Sequence, residues 1–185
     1  MEIPRKTTDR LLLRKPILEK DTDWFFELRS DNGFMKYMDR PCMAERSESV
    51  AHLNNILDRA ESETGIQWIA EEIESGKQIG YAGLWRWDKK NRTGELGYGL
   101  DPGHTGKGYM RELIEVSLKF GFEEMGLERV EAWINPDNTA SIAVVEHFGF
   151  VKEGQLRHVT HFANEYRDLL VYGLLREEWI QNQTV

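Results

Sequence analysis

The apolar positions follow two different periods along the chain. Leu11-Leu12-Leu13 ahead of Pro16 predicts a first strand. Trp24, Phe25 and Leu28, then Phe34, Tyr37 and Met38, predict a helical hairpin interrupted at Asn32-Gly33. Val50, Leu53 and Leu57 recur at helical spacing and place an amphipathic helix over about residues 47–59. The period then drops to two. Ile66, Trp68 and Ala70 alternate with polar residues, and after the turn signal Glu74-Ser75-Gly76-Lys77 so do Ile79, Tyr81, Gly83, Trp85 and Trp87. Residues 95–100 supply a third strand of this meander. A helix over about residues 108–125 carries Leu113, Ile114, Ser117, Leu118, Gly121, Phe122 and Met125 on one stripe, with Gly126 as its stop. Val130, Ala132 and Ile134 form a strand, and Pro136-Asp137-Asn138 turns into a short helix ending near Gly149. Strands around residues 150–157 and 168–175 close the pattern.

The crossover between residues 95 and 134 is long enough to make its two strands parallel in an otherwise antiparallel sheet. The expected class is therefore α/β, with a mixed, mostly antiparallel sheet of about seven strands and flanking helices. The chain has 185 residues, which suits a single domain over residues 1–185.

Charge and composition narrow the function. A formal net charge of −8 argues against nucleic-acid binding through a general basic field, although a local basic pocket can still hold an anion. The single cysteine, Cys42, excludes an intrachain disulfide framework and a cysteine-rich zinc site. His158 and His161 lack a third ligand nearby, so no metal is expected. No apolar run reaches the ~18 residues of a membrane span, and Met-Glu-Ile-Pro-Arg-Lys lacks the apolar core of a signal peptide. The expectation is a cytoplasmic protein without membrane partners. Acidic runs such as Glu71-Glu72 are expected on solvated faces.

The most informative stretch, residues 94–110, reads as a strand, a glycine-rich loop and a helix start. Amides at a helix N-terminus point outward unpaired, and the macrodipole adds about half a positive charge there. Gly103, Gly106 and Gly108 clear the approach to those donors, so the segment is built to hold a phosphate group. A Walker loop does not fit, because Gly108 follows Lys107 where Ser or Thr is needed. The dinucleotide pattern fails as well, with Arg111 where its third glycine belongs.

Thr105-Gly106-Lys107-Gly108-Tyr109-Met110 resembles the acetyl-CoA pyrophosphate loop of the GNAT N-acetyltransferases, Gln/Arg-x-x-Gly-x-Gly/Ala. Only the central Gly108 matches strictly; Thr105 and Met110 depart from the pattern. Thr8-x-Arg10-Leu11-x-Leu13-Arg14, Asn138-Thr139-Ala140-Ser141, Gly149-Phe150 and the ending Asp168…Tyr172…Leu175-Arg176-Glu177-Glu178-Trp179 are similar, in order, to the RimJ/RimL-like (ribosomal-protein N-terminal acetyltransferase) branch. The resemblance implies a GNAT fold whose two central parallel strands splay to admit the pantetheine arm. It also implies acetyl-CoA as cosubstrate, a primary-amine acceptor such as a protein N-terminus, and a monomer or homodimer.

It further implies that backbone donors near Leu100 polarise the thioester carbonyl, that Asn138 contacts the cofactor arm, and that Ser141 protonates the departing thiolate. Asn138 is equally suited to cap the helix that follows it. The tyrosine that many family members carry seven residues after the Asn is Val145 here. Transfer to an amine needs a proton acceptor, and Glu95 is the leading one. Period two puts it beside Gly97 and Gly99, on a face expected to open on a space. Trp85 and Trp87 are candidates for lining the amine pocket, and Arg157 and Tyr166 lie in the last hairpin, where the family varies its acceptor site. The family's Asn-Gly turn is Asn164-Glu165 here, which disfavours a tight turn with two positive φ angles. The competing reading is a CoA-binding sensor or assembly module without catalysis.

Overall fold

The alternating and helical segments assemble into one sheet flanked by helices, in a computed structural model that describes residues 1–183. In chain order the elements begin β1 (Lys6–Thr7), β2 (Leu11–Arg14), α1 (Leu18–Ser30), α2 (Asn32–Met35) and α3 (Arg46–Glu61). The meander β3 (Ile66–Glu72), β4 (Gln78–Asp88) and β5 (Thr93–Leu100) follows. Then come α4 (Tyr109–Lys119), β6 (Arg129–Ile134), α5 (Thr139–His147), β7 (Val151–Phe162), β8 (Glu165–Leu175) and α6 (Arg176–Asn182). The eight strands lie in the order β1-β2-β3-β4-β5-β6-β8-β7. Every neighbouring pair is antiparallel except β5 and β6, which the α4 crossover makes parallel. Seven strands match the expectation; the eighth is β1, whose two residues are too short to show a period.

The core gathers Phe25, Leu53 and Ile56 from the first helices, Trp68, Ile69 and Leu84 from the sheet, and Leu113, Ile114 and Leu118 from α4. Helix α4 continues as a wider turn over Phe120–Glu124 that buries Phe120 and Phe122, as its stripe predicts. Trp68 stands edge-on to Phe120 and donates its indole N–H to the Pro4 carbonyl at 2.7 Å. The ends of the helices are tied locally. The Glu48 carboxylate accepts from the amides of Ala44 and Glu45 at the start of α3, and Asn138 Oδ1 accepts from the Ser141 amide at 3.2 Å at the start of α5.

Three expectations change. Strand β3 does not alternate between core and water: Gln67, Ile69 and Glu71 are buried along with Trp68 and Ala70. Glu71 therefore does not lie on a solvated face. Arg14 donates to both Asp21 oxygens at 2.7 Å and to Glu71 at 2.6 Å, and Lys20 pairs with Glu71 as well, which lets a charged cluster sit at the junction of β2, α1 and β3. The hairpin between β7 and β8 does turn tightly. Phe162 pairs with Glu165, and the two residues between them, Ala163 and Asn164, both have positive φ (52° and 63°). The turn falls one residue earlier than expected, and asparagine's tolerance of that conformation supplies part of what glycine would.

Candidate active site

Strands β5 and β6 pair only where Thr93, Gly94 and Glu95 face Arg129, Val130 and Glu131. Beyond that rung β5 follows β4 to Leu100 while β6 follows β8 to Ile134, so the two facing edges part. A cavity of about 430 Å³ opens in the fork. Its walls come from Glu95, Leu96, Gly97 and Tyr98 on β5, Ala132, Trp133 and Ile134 on β6, and Asn135, Asn138 and Ser141 beyond. Its far end is closed by residues of α1, α3, the segment around Phe34 to Arg40, and the β7–β8 hairpin.

Gly97 and Gly99 do not leave open space as expected. A Cβ on Gly97 would lie 3.0 Å from the Trp85 ring, and one on Gly99 2.7 Å from Tyr81 and 2.8 Å from Phe34. These glycines admit aromatic rings that form the cavity wall. Trp85, the rung partner of Glu95, thus lines the cavity.

The glycine loop lies at the head of α4. Asp101 Oδ1 accepts from the Gly103 amide at 2.8 Å, and Asp101 O from that of His104, so these two are not free donors. Downstream, Gly106 and Gly108 adopt φ of +74° and +85°. Among the described residues, the amides of Gly106, Lys107, Gly108, Tyr109 and Met110 have no protein acceptor. Five consecutive bare donors at a helix N-terminus suit a diphosphate. Thr105 uses its hydroxyl on the Pro102 carbonyl at 2.9 Å, and Met110 turns toward the core. Arg10 braces the loop from outside. It donates to the Lys107 carbonyl at 2.9 Å, pairs with Glu112 and lies 4.4 Å over the Tyr109 ring. The Tyr109 hydroxyl in turn donates to Glu72. Leu100, half-buried, ends β5 just before this loop.

Glu95 faces the cavity, and its Oε2 accepts from Arg86 Nη1 at 2.8 Å. The Arg86 guanidinium also lies 5.0 Å over the Trp133 ring. Ser141 lines the same space, and its side chain shares a hydrogen bond with the Tyr98 phenol. Across from it, the Tyr98 hydroxyl donates to the Ser141 carbonyl at 3.4 Å. Burial pushes the Tyr98 phenol up to about 12, so it stays protonated and acts as a donor holding the first turn of α5. A thiolate whose acid has a pKa of about 8.5 is too weak a base to take that proton readily.

The fold brings Glu95, Ser141, Asn138 and Trp85 together around the cavity, with the loop of residues 105–110 beyond the end of β5. Trp87, Arg157 and Tyr166 lie outside its walls. Trp87 donates its amide to Thr64 O and stacks under Lys89. Arg157 is exposed, and Tyr166 packs against His158 and His161. Val159 and Thr160 line the cavity from this hairpin instead. Sequence reasoning did not find Arg29, Arg40, Arg86 or Tyr98, and nothing local in the chain marks the three arginines. No group of three potential metal ligands occurs among the described residues, and none of their helices is long and apolar enough to cross a membrane.

A splayed parallel pair beside a bare-amide loop defines a class that sequence comparison confirms. Residues 10–151 match the acetyltransferase (GNAT) domain, and the chain belongs to that family. It is 31% identical over 172 residues to the uncharacterized N-acetyltransferase p20 of Bacillus licheniformis, covering 93% of this chain and 96% of that protein. The crystal structure of a GNAT-family acetyltransferase from Bacillus anthracis superposes with a TM-score of 0.83 at 27% identity, over 95% of this chain and 100% of that one. Spermidine N-acetyltransferase from Vibrio cholerae, solved with CoA and spermine, shares the fold with a TM-score of 0.82 at 21% identity, over 94% of this chain and 99% of that one.

Proposed function

We propose that the protein transfers an acetyl group from acetyl-CoA directly to a primary amine. The observation that carries this reading is the fork between β5 and β6, which opens a cavity flanked by Glu95 and Ser141 and lies next to a loop of unpaired amides. When bound, acetyl-CoA supplies an acetyl group activated as a thioester. The amides of residues 106–110 would hold its diphosphate, and the free edge of β5 beyond Glu95 offers backbone groups to its extended arm. Backbone donors near Leu100 would steady the carbonyl oxygen.

Glu95 takes the proton that the amine must lose, directly or through one water. An α-amine titrates near ~8 and a lysine near ~10.4, so at neutral pH most acceptor molecules arrive protonated. Arg86 holds the Glu95 carboxylate in place for that task. Ser141, whose side chain is hydrogen-bonded to Tyr98, gives a proton to the departing thiolate, and Asn138 fixes the turn that presents it. No covalent enzyme intermediate is needed.

The test is thiol release from acetyl-CoA in the presence of primary amines, with Glu95→Gln as the variant. Losing the base should lower kcat/KM by roughly 10²–10⁴ while acetyl-CoA affinity, measured by calorimetry, holds. An absence of acetyl-CoA binding in the parent protein refutes the reading. A change of only a few-fold removes Glu95 from the reaction.

A further inference from the structure

The cavity contains two guanidinium groups that no carboxylate balances. Arg29, on α1, is only 5% exposed. Its Nη1 meets the Met38 sulfur at 2.9 Å and the Tyr81 hydroxyl at 3.2 Å, and its buried Nε has no hydrogen-bond partner. Arg40 stands exposed along the cavity wall and, among the described residues, forms no ion pair or hydrogen bond. The cavity's two carboxylates are already matched: Asp39 with Arg167 at 2.9 Å, and Glu95 with Arg86 at 2.8 Å.

This surplus is set in a chain of net charge −8, so it is not a reflection of overall composition. A third group registers it. His52, on α3, lines the same cavity and stacks on Phe25 at 5.0 Å. Burial, and then the fields of Arg29, Arg40 and Arg59, hold its imidazole down at about 4. Keeping an unpaired guanidinium out of water is costly, and its planar fork of donors suits an oxyanion.

We propose that the acetyl acceptor is an anionic amine, with its carboxylate or phosphate seated by Arg29 and Arg40 and its amino group turned toward Glu95. This rests on the acetyltransferase reading of the site. Tyr81, which touches Arg29, and Trp85, the rung partner of Glu95, are four residues apart on β4. At about 3.3 Å per residue those rungs are roughly 13 Å apart. The anion therefore belongs to a distal part of the acceptor, several bonds from the reacting nitrogen. The same field opposes a polyamine, whose remote ammonium groups would face Arg29 and Arg40.

Acceptor-dependent thiol release tests this with C-terminally amidated Ala-Glu, 6-aminohexyl phosphate, C-terminally amidated Ala-Gln, hexylamine and spermidine. We expect kcat/KM for each anionic acceptor to exceed that of its neutral counterpart at least about tenfold, with spermidine poorest. Whichever of Ala-Glu and aminohexyl phosphate leads identifies the anion. In Arg40→Gln, an exposed site, the anionic-to-neutral ratio should fall several-fold. Equal use of charged and neutral acceptors, a preference for spermidine, or an unchanged ratio in the variant overturns the proposal.

A second measurement needs no catalysis. With glutarate or inorganic phosphate as probe, NMR titration should move the His52 imidazole upward by about one pH unit or more, because a bound anion offsets the arginine field. A His52 titration that millimolar probe leaves unmoved refutes the anion seat even where acetyl transfer is observed. Movement of His52 without thiol release from any acceptor supports the seat and refutes the acetyltransferase reading.

Discussion

Replacing Gly106 and Gly108 separately by alanine distinguishes a loop that merely turns from one whose shape holds a diphosphate. Both have positive φ, +74° and +85°, a region that costs an L residue about 1–2 kcal/mol. A Cβ on Gly106 meets nothing within 4 Å, so strain is its whole cost. A Cβ on Gly108 comes 3.2 Å from Arg10 Nη2 and must displace the guanidinium that bonds the Lys107 carbonyl. Loosening that bond adds about 0.5–1.5 kcal/mol. The free loop can relax by rotating back to negative φ, but then its amides turn away, so the strain reappears when ligand binds. At about 1.4 kcal/mol per decade, Gly106→Ala should raise the acetyl-CoA Kd roughly 5- to 30-fold and Gly108→Ala roughly 10- to 300-fold. Calorimetry gives both constants, and thermal melts check that the fold survives. A Gly108→Ala protein within twofold of the parent affinity, or the reverse order of the two variants, would show that the bend does not shape the diphosphate seat.

Two further predictions concern stability. Burial pushes the Asp21 and Glu71 carboxyls up, but hydrogen bonds from Arg14, with Gln78 and the Ile17 amide at Asp21 and Lys20 at Glu71, outweigh it and hold both below their ordinary values. The unfolded chain then binds more protons in acid, so the stability these groups add is present above about pH 4 and lost as pH falls below it. Arg14→Met should cost about 3–5 kcal/mol in urea unfolding at pH 7, since it leaves the buried Asp21 carboxylate without a cationic partner and Glu71 with Lys20 alone, and mild acid should then stabilise the variant relative to its own value at pH 7. A variant as stable as the parent at pH 7 refutes the account of the cluster. For His52 the folded value of about 4 lies below the ordinary 6.5, so the folded state binds fewer protons between them. Stability should therefore decline as pH falls from about 6.5 to about 4, and His52→Gln should flatten that part of the profile; parallel curves for parent and variant would overturn it.

The parts of the site legible in the sequence are those whose chemistry is local in the chain. The loop at Gly106 and Gly108, the Asn138 cap and the Ser141 beside it depend on neighbours within a few residues. Alternation puts Glu95 on one face of β5 with Gly97, and the structure places it at the cavity beside its rung partner Trp85. Alternation failed where strands carry irregularities. The β4–β5 register shifts between Trp85 and Asp88, with Arg86 at φ 48°, so Trp87 leaves the face that Trp85 occupies. The β7–β8 register shifts between Leu156 and Thr160, with His158 at φ 53°, and Val159 and Thr160 reach the cavity instead of Arg157 and Tyr166. Arg29, Arg40 and His52 meet through tertiary packing alone, which no spacing in the chain encodes. Helix α6 was missed for a simpler reason: of its seven residues only Trp179 is buried.

One pair of motifs, about a hundred residues apart, forms a single mechanical unit. The Thr8 hydroxyl donates to one Glu112 oxygen and Arg10 Nε to the other, while Arg10 Nη1 holds the Lys107 carbonyl. Glu112 lies in the first turn of α4, directly after the bare amides. The turn between β1 and β2 is therefore a bracket for the loop of unpaired amides, and the pairing of β2 with β3 sets where that bracket stands. The two weak patterns Thr8-x-Arg10 and Gly106-x-Gly108 are thereby joined in space, the first touching both flanks of the loop that the second shapes. A change at Thr8 or Arg10 should accordingly weaken acetyl-CoA binding from outside the loop, through the position of Glu112 and the Lys107 carbonyl.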